Sequence, residues 1–129
     1  MLPYDRDNIF AKILRGEAPC TKVYEDEFAL AFKNIHPRAP VHVLVVPKGE
    51  FISSADFVSS ARPELIVGFW RAVGRTATEL GLDETGYRIV ANHGPDGHQV
   101  VFHFHVHILG GRQLPSVSAE PPDNLGGGI

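Results

Sequence analysis

The chain has 129 residues, 43% of them hydrophobic, and a formal charge of −3 at pH 7. That length and apolar content fit one domain over residues 1–129, and the weak negative charge argues against nucleic acid or acidic membranes as partners. The single cysteine, Cys20, permits no internal disulfide, and no apolar run matches a membrane span or signal-peptide core, so a soluble, cytoplasmic protein is expected.

Residues 8–15 read as an amphipathic helix capped by Asn8, with Ile9, Phe10, Ile13 and Leu14 on one face and Gly16 closing it. Two short strands are expected over 21–24 and 28–35, joined by the acidic turn Glu25-Asp26-Glu27. After a Pro-bounded loop at 36–40, residues 42–46 are nearly all apolar, as in a central strand buried on both faces. His42 enters that strand. A lone histidine there is ordinarily a core residue with a backbone partner; the histidines further along the chain favour a catalytic position instead.

Residues 51–60 read as loop or a short helical turn. A long helix starts at Pro63 and ends at Gly81, with Ile66, Phe69, Trp70, Val73, Ala77 and Leu80 forming its buried stripe. A strand over 87–92 follows, and the turn 94–98 leads into a final strand over 100–109 as a hairpin. The expected class is α+β: a meandering antiparallel five-stranded sheet with an N-terminal helix and one long helix. The core spans about 7–113. The tail, 114–129, has prolines and glycines without periodicity and nothing that would order it without a partner.

The last strand carries the chemistry. If 100–109 is extended, Val100, Phe102, Phe104, Val106 and Ile108 share one face, and Val101, His103, His105, His107 and Leu109 share the other. Three imidazoles then stand about 6.8 Å apart on a rigid element, a spacing that spans a phosphate and its substituents. Burial alone gives no reason for three titratable rings on one side. Such a row can supply a nucleophile toward phosphorus, a general acid or base, or zinc ligands, and its spacing leaves all three open. The hairpin gathers Asn92, His93 and Gln99 around the same end of the sheet, where the Gly-rich turn offers backbone N–H groups. No Walker-type loop, dinucleotide fingerprint or acidic magnesium constellation is present, which removes support for kinase and dinucleotide-oxidoreductase readings.

The run His103-Phe104-His105-Val106-His107-Ile108-Leu109 resembles the signature of the histidine-triad (HIT) superfamily. The blocks Asn8-Ile9-Phe10-Ala11-Lys12-Ile13, Pro40-Val41-His42-Val43-Leu44-Val45-Val46-Pro47-Lys48, Gly86-Tyr87-Arg88 and Leu109-Gly110-Gly111-Arg112 resemble its HINT branch. The resemblance implies hydrolysis of purine nucleoside phosphoramidates at the α-phosphorus, without metal or other cofactor, by a homodimer whose sheets join into ten strands. It also implies an AMP- or GMP-type substrate. By that resemblance His105 is the nucleophile forming a nucleotidyl-histidine intermediate, His107 assists the leaving amine, His103 and His42 orient ring and phosphate, and Asn92 is an active-site asparagine.

Ile9, Phe10, Ile13, Phe32, Ile35 and Leu44 match positions that pack the purine and ribose, and Gln99, Val100 and Val101 border the scissile bond. Two positions depart from the family pattern. Asn34 stands where most relatives have an aspartate for the ribose hydroxyls, and Val100 stands where many have a serine. Loss of that hydroxyl implies slower turnover than in a serine-bearing relative. Two alternatives stand beside this reading: a nucleotide-binding module with little turnover, and a metal-dependent hydrolase built on His103, His105 and a third ligand.

Overall fold

The structure is a computed structural model and describes residues 2–117. In chain order it contains α1 (Ile9–Leu14), β1 (Lys22–Glu25), β2 (Ala29–Lys33), β3 (Val41–Pro47), α2 (Ser54–Ser60), α3 (Pro63–Glu79), β4 (Arg88–Val90) and β5 (Val106–Gly110). The strands form one antiparallel sheet in the order β1-β2-β3-β5-β4, giving the expected α+β class. β1 to β3 meander; α2 and α3 carry the chain to the far edge, and β5 returns between β3 and β4. No helix among the described residues is long and apolar enough to cross a membrane.

Local chemistry sets these elements. The Asn8 side-chain oxygen accepts the Ala11 amide at 2.9 Å, capping α1, and Gly16 at φ +78° lets the chain leave it. The Asp26 carboxylate holds the turn from β1 to β2 by accepting the amides of Phe28 and Ala29 at 2.8 and 3.0 Å. β2 and β3 are covered on both faces, as their apolar runs require. On one face Val43, Val45, Val106 and Ile108 pack with Phe57, Phe69 and Phe104 beneath α3. On the other, Leu44 and Val46 pack with Phe10 of α1, Leu30, Phe32 and Val101. The pleat therefore assigns His42, two residues before Leu44, to the α1 face, and the register of Leu44 opposite His107 puts that ring there too.

The final strand is shorter than its composition implies. Only Val106–Gly110 is paired; residues 91–105 form the connection from β4, which itself covers Arg88–Val90 rather than 87–92. The Phe104 amide instead donates to the Phe51 carbonyl at 2.7 Å, drawing the segment toward α2. The expected apolar face is accordingly divided. Phe104, Val106 and Ile108 are buried, whereas Val100 and Phe102 are 47% and 43% exposed. The other alternating set, Val101, His103, His105, His107 and Leu109, is buried throughout.

The stripe of α3 is also rotated from the expected one. Leu65, Gly68, Phe69, Ala72, Val73, Thr76 and Ala77 are buried, and Trp70 is 42% exposed. Small residues make the close contact: a Cβ at Gly68 would lie 2.4 Å from the Phe28 ring. Reading size as burial misplaced Trp70. Residues 51–60 include a true helix, capped by Ser53 accepting from Asp56. The expectation for the tail falls mostly on residues 118–129, which lie outside the described residues.

Candidate active site

Hydrogen-bond partners assign the tautomers of all four buried histidines, because a carbonyl only accepts and a backbone amide only donates. His105 Nδ1 lies 2.7 Å from the His103 carbonyl, so Nδ1 carries the proton and Nε2 keeps its lone pair. The Arg38 amide donates to His42 Nδ1 at 3.0 Å, which places the neutral ring's proton on Nε2. That proton points at His107 Nδ1, 2.9 Å away, and in turn puts the His107 proton on Nε2. His107 Nε2 is buried and has no hydrogen-bond partner among the described residues. One backbone amide thus fixes two rings and leaves a buried N–H without an acceptor, an arrangement that favours a ligand oxygen or nitrogen there.

His103 is fully buried and engaged at both ring atoms. Nε2 donates to the Pro47 carbonyl at 3.1 Å, and Nδ1 accepts from the Tyr4 hydroxyl at 2.6 Å. It has no ring atom left for a substrate. Phe10 stands edge-on to His105 with ring centroids 4.9 Å apart, and the His105 and His107 rings are 5.2 Å apart.

Burial dominates the electrostatics. It pushes His42 and His103 down to about 4 and His107 to about 3, with the Arg38 charge acting in the same direction on His42 and His107. Burial also lowers His105, opposed by its bond to the His103 carbonyl. All four rings are neutral at pH 7.

Beside the rings lies an apolar cleft of about 300 Å³. The six residues assigned to purine and ribose packing, Ile9, Phe10, Ile13, Phe32, Ile35 and Leu44, all line it, and so does Asn34, in the place of the ribose-binding aspartate. Ile35 is 80% exposed, at the rim. The Asn34 oxygen accepts the His36 amide at 2.8 Å, and its Nδ2 sits 3.3 Å from His42 Nε2. Since that nitrogen already bears the proton aimed at His107, the Asn34 amide protons remain available to a ligand.

The remaining sequence-selected residues are distributed around this site. Asn92 donates to the Gly97 carbonyl at 2.7 Å, leaving its oxygen buried without a partner. The Gln99 amide is taken up within the loop: its oxygen accepts from Gly94, and its nitrogen donates to the carbonyls of Ile52 and Val101. Val101 is a core side chain, and neither it nor Val100 lines the cleft. His93 and His98 are exposed turn residues.

Sequence reasoning missed Tyr4, which lies before the expected core and in a segment without periodicity. It also missed the Arg38 amide, since backbone donors leave no mark in a side-chain motif. Ala18, Pro19, Cys20 and Lys33 line the cleft unannounced. A zinc site on His103 and His105 does not fit these bonds. Both His103 nitrogens are engaged, and among the described residues no three His, Cys, Asp or Glu side chains are grouped to hold an ion.

Comparison with known proteins agrees with the fold and the histidine row. The HIT domain profile matches residues 15–114. A 13.2 kDa HIT-like protein of Azospirillum brasilense is 51% identical over 111 residues, covering 86% of this chain and 91% of that protein. The crystal structure of a HIT family hydrolase from Legionella pneumophila superposes with a TM-score of 0.79 at 41% identity, covering 84% and 96% of the two chains. That of a histidine triad nucleotide-binding protein from Candida albicans gives 0.72 at 30% identity, covering 93% and 90%.

Proposed function

This chain belongs to the HIT family, and from that premise we propose that it is a hydrolase acting at the α-phosphorus of purine nucleoside phosphoramidates, with His105 as the nucleophile. The observation that carries this reading is the tautomer assignment: among the described residues, a neutral His105 whose Nε2 lone pair meets no donor, beside a His107 Nε2–H that meets no acceptor. The similar structures from Legionella and Candida are those of a HIT family hydrolase and of a nucleotide-binding protein, which supports the general class of this reading.

In the proposed reaction the nucleoside enters the apolar cleft and the phosphorus meets His105 Nε2. A bond forms from Nε2 to phosphorus while the bond from phosphorus to the leaving amine breaks, giving a nucleotidyl-histidine. The positive charge that develops on the imidazole is met by the His103 carbonyl at Nδ1. The His107 N–H binds a phosphoryl oxygen or the departing nitrogen. His107 passes its Nε2 proton to the departing nitrogen as a proton from solvent replaces it, an uptake that the bound phosphate's negative charge favours, so the amine leaves neutral and His107 ends neutral. Water then attacks phosphorus and releases a proton to solvent, the bond to Nε2 breaks with its electron pair returning to His105, and the nucleoside monophosphate leaves beside a neutral ring. His42 holds His107, the His103 carbonyl holds His105, and the buried, unpartnered Asn92 oxygen is assigned as an acceptor for an amine proton.

Purified protein incubated with adenosine 5′-phosphoramidate is expected to release AMP, and His105→Ala to lower kcat by at least about 10³-fold. A variant that turns over as the wild type does would overturn the assignment. Nucleotide binding without AMP release would favour a binding module.

The reading extends to a cytoplasmic homodimer. The outer face of α3 exposes Val67 and Trp70, and the edge strand β4 exposes Ile89, surfaces that a partner would cover. Analytical ultracentrifugation should give twice the chain mass; a single-chain mass at micromolar concentration would refute it.

A further inference from the structure

The segment that carries His105 has an unusual problem of support. Residues 100–105 precede β5 and lie outside the strand ladder, so no sheet hydrogen bonds fix their backbone. The Phe104 amide bond to Phe51 secures one point. The Gln99 side-chain amide secures a second at the Val101 carbonyl, and the points nearest His105 are made by the His103 ring, which bridges the Pro47 carbonyl at the end of β3 and the Tyr4 hydroxyl. The two bonds need each other. Donation to Pro47 requires the proton on Nε2, and a neutral ring so protonated has at Nδ1 only a lone pair, which needs a donor. Tyr4 is that donor, and its ring also meets His103 edge to face with centroids 5.7 Å apart.

The Tyr4 segment is itself held down. The Asn8 side-chain amide donates to the Asp5 carbonyl at 2.7 Å, the Arg15 guanidinium donates to the Arg6 carbonyl at 2.7 Å, and the Arg6 side chain pairs with Glu50 at 2.8 Å. From this chain of contacts we infer that Tyr4 is a positioning residue for the nucleophile: it pins the His103 ring, and thereby the carbonyl that orients His105 through Nδ1. Tyr4 precedes residues 15–114, which the HIT domain profile matches, so the strut is supplied by the chain's N-terminal segment. The inference rests on the proposed role of His105.

The test is Tyr4→Phe, which keeps the ring and removes only the hydroxyl. Two readouts are needed: AMP release from adenosine 5′-phosphoramidate, and the ring ¹⁵N and N–H resonances of His103 and His105. The strut predicts kcat lower by about tenfold with KM changed less than about twofold, because the lost bond orients the attacking atom and leaves the cleft intact. It also predicts that His103 leaves its pure Nε2–H form and that the His105 Nδ1–H exchanges faster with water. Unchanged ring resonances would overturn the inference, as would wild-type kcat in a variant whose melting temperature alone has fallen. The resonances are read without substrate. A wild-type protein that releases no AMP would therefore count against the proposed reaction, while the Tyr4 assignment would still be decided by its ring signals.

Discussion

At the scale of single residues, the site is defined by which nitrogen holds which proton. Three of the four buried rings are neutral donors on Nε2, and only His105 is reversed, by the carbonyl two residues behind it. A reversal of one tautomer separates a nucleophile from three supporting rings of the same residue type. Val100 marks a different kind of position. Its side chain is 47% exposed and lies outside the apolar cleft, so replacing it leaves the core untouched. If a hydroxyl there reaches the leaving nitrogen or a phosphoryl oxygen, Val100→Ser should raise kcat on adenosine 5′-phosphoramidate several-fold, up to about tenfold, with the melting temperature within about 2 °C of wild type. Equal or slower turnover would remove Val100 from the account of rate.

At the scale of elements, the sequence was most legible where one physical pressure acts alone. The all-apolar run of β3 reads directly as a strand covered on both faces, and Asn8 with Gly16 reads directly as the two ends of α1. The six apolar cleft residues are legible only through resemblance, since each is equally good as core by composition; their convergence with Asn34 on one cavity is visible only in three dimensions. The segment 100–105 misled because β-branched and aromatic content measures fitness for a half-buried pleat, and the same residues suit a buried loop pinned by side chains. Its alternation survived even without the ladder: His103, His105 and Val101 stay inside, with Val100 and Phe102 outside. Gln99 shows what side-chain identity cannot tell. The resemblance places it at the scissile bond, whereas its amide is occupied in binding Gly94, Ile52 and Val101, which ties the loop after β4 to the segment before α2.

At the scale of the whole molecule, a site made of buried neutral imidazoles is linked to stability. His42 and His103 ionise at about 4 and His107 at about 3 in the fold, against an ordinary value near 6.5 in the unfolded chain. Between about 6.5 and 4 the unfolded state therefore binds more protons, and stability must fall as pH falls through that window. Each such ring can add at most about 1.4 kcal/mol per pH unit to the slope, and all three act in the same direction, so the decline is steep. Glu17 and Glu25, lowered by hydrogen bonds to Arg15 and to Lys48 and Lys22, act in the same direction only below their own unfolded range near 4.3. Loss between pH 6.5 and 4.5 therefore belongs to the histidines. Urea titrations should give a flat unfolding free energy from pH 7 to 8 and a steep decline from 6.5 to 4.5. A protein as stable at pH 4.5 as at pH 7 would mean that these rings titrate in the fold as they do in the unfolded chain, and would refute the desolvation that holds them neutral well below pH 6.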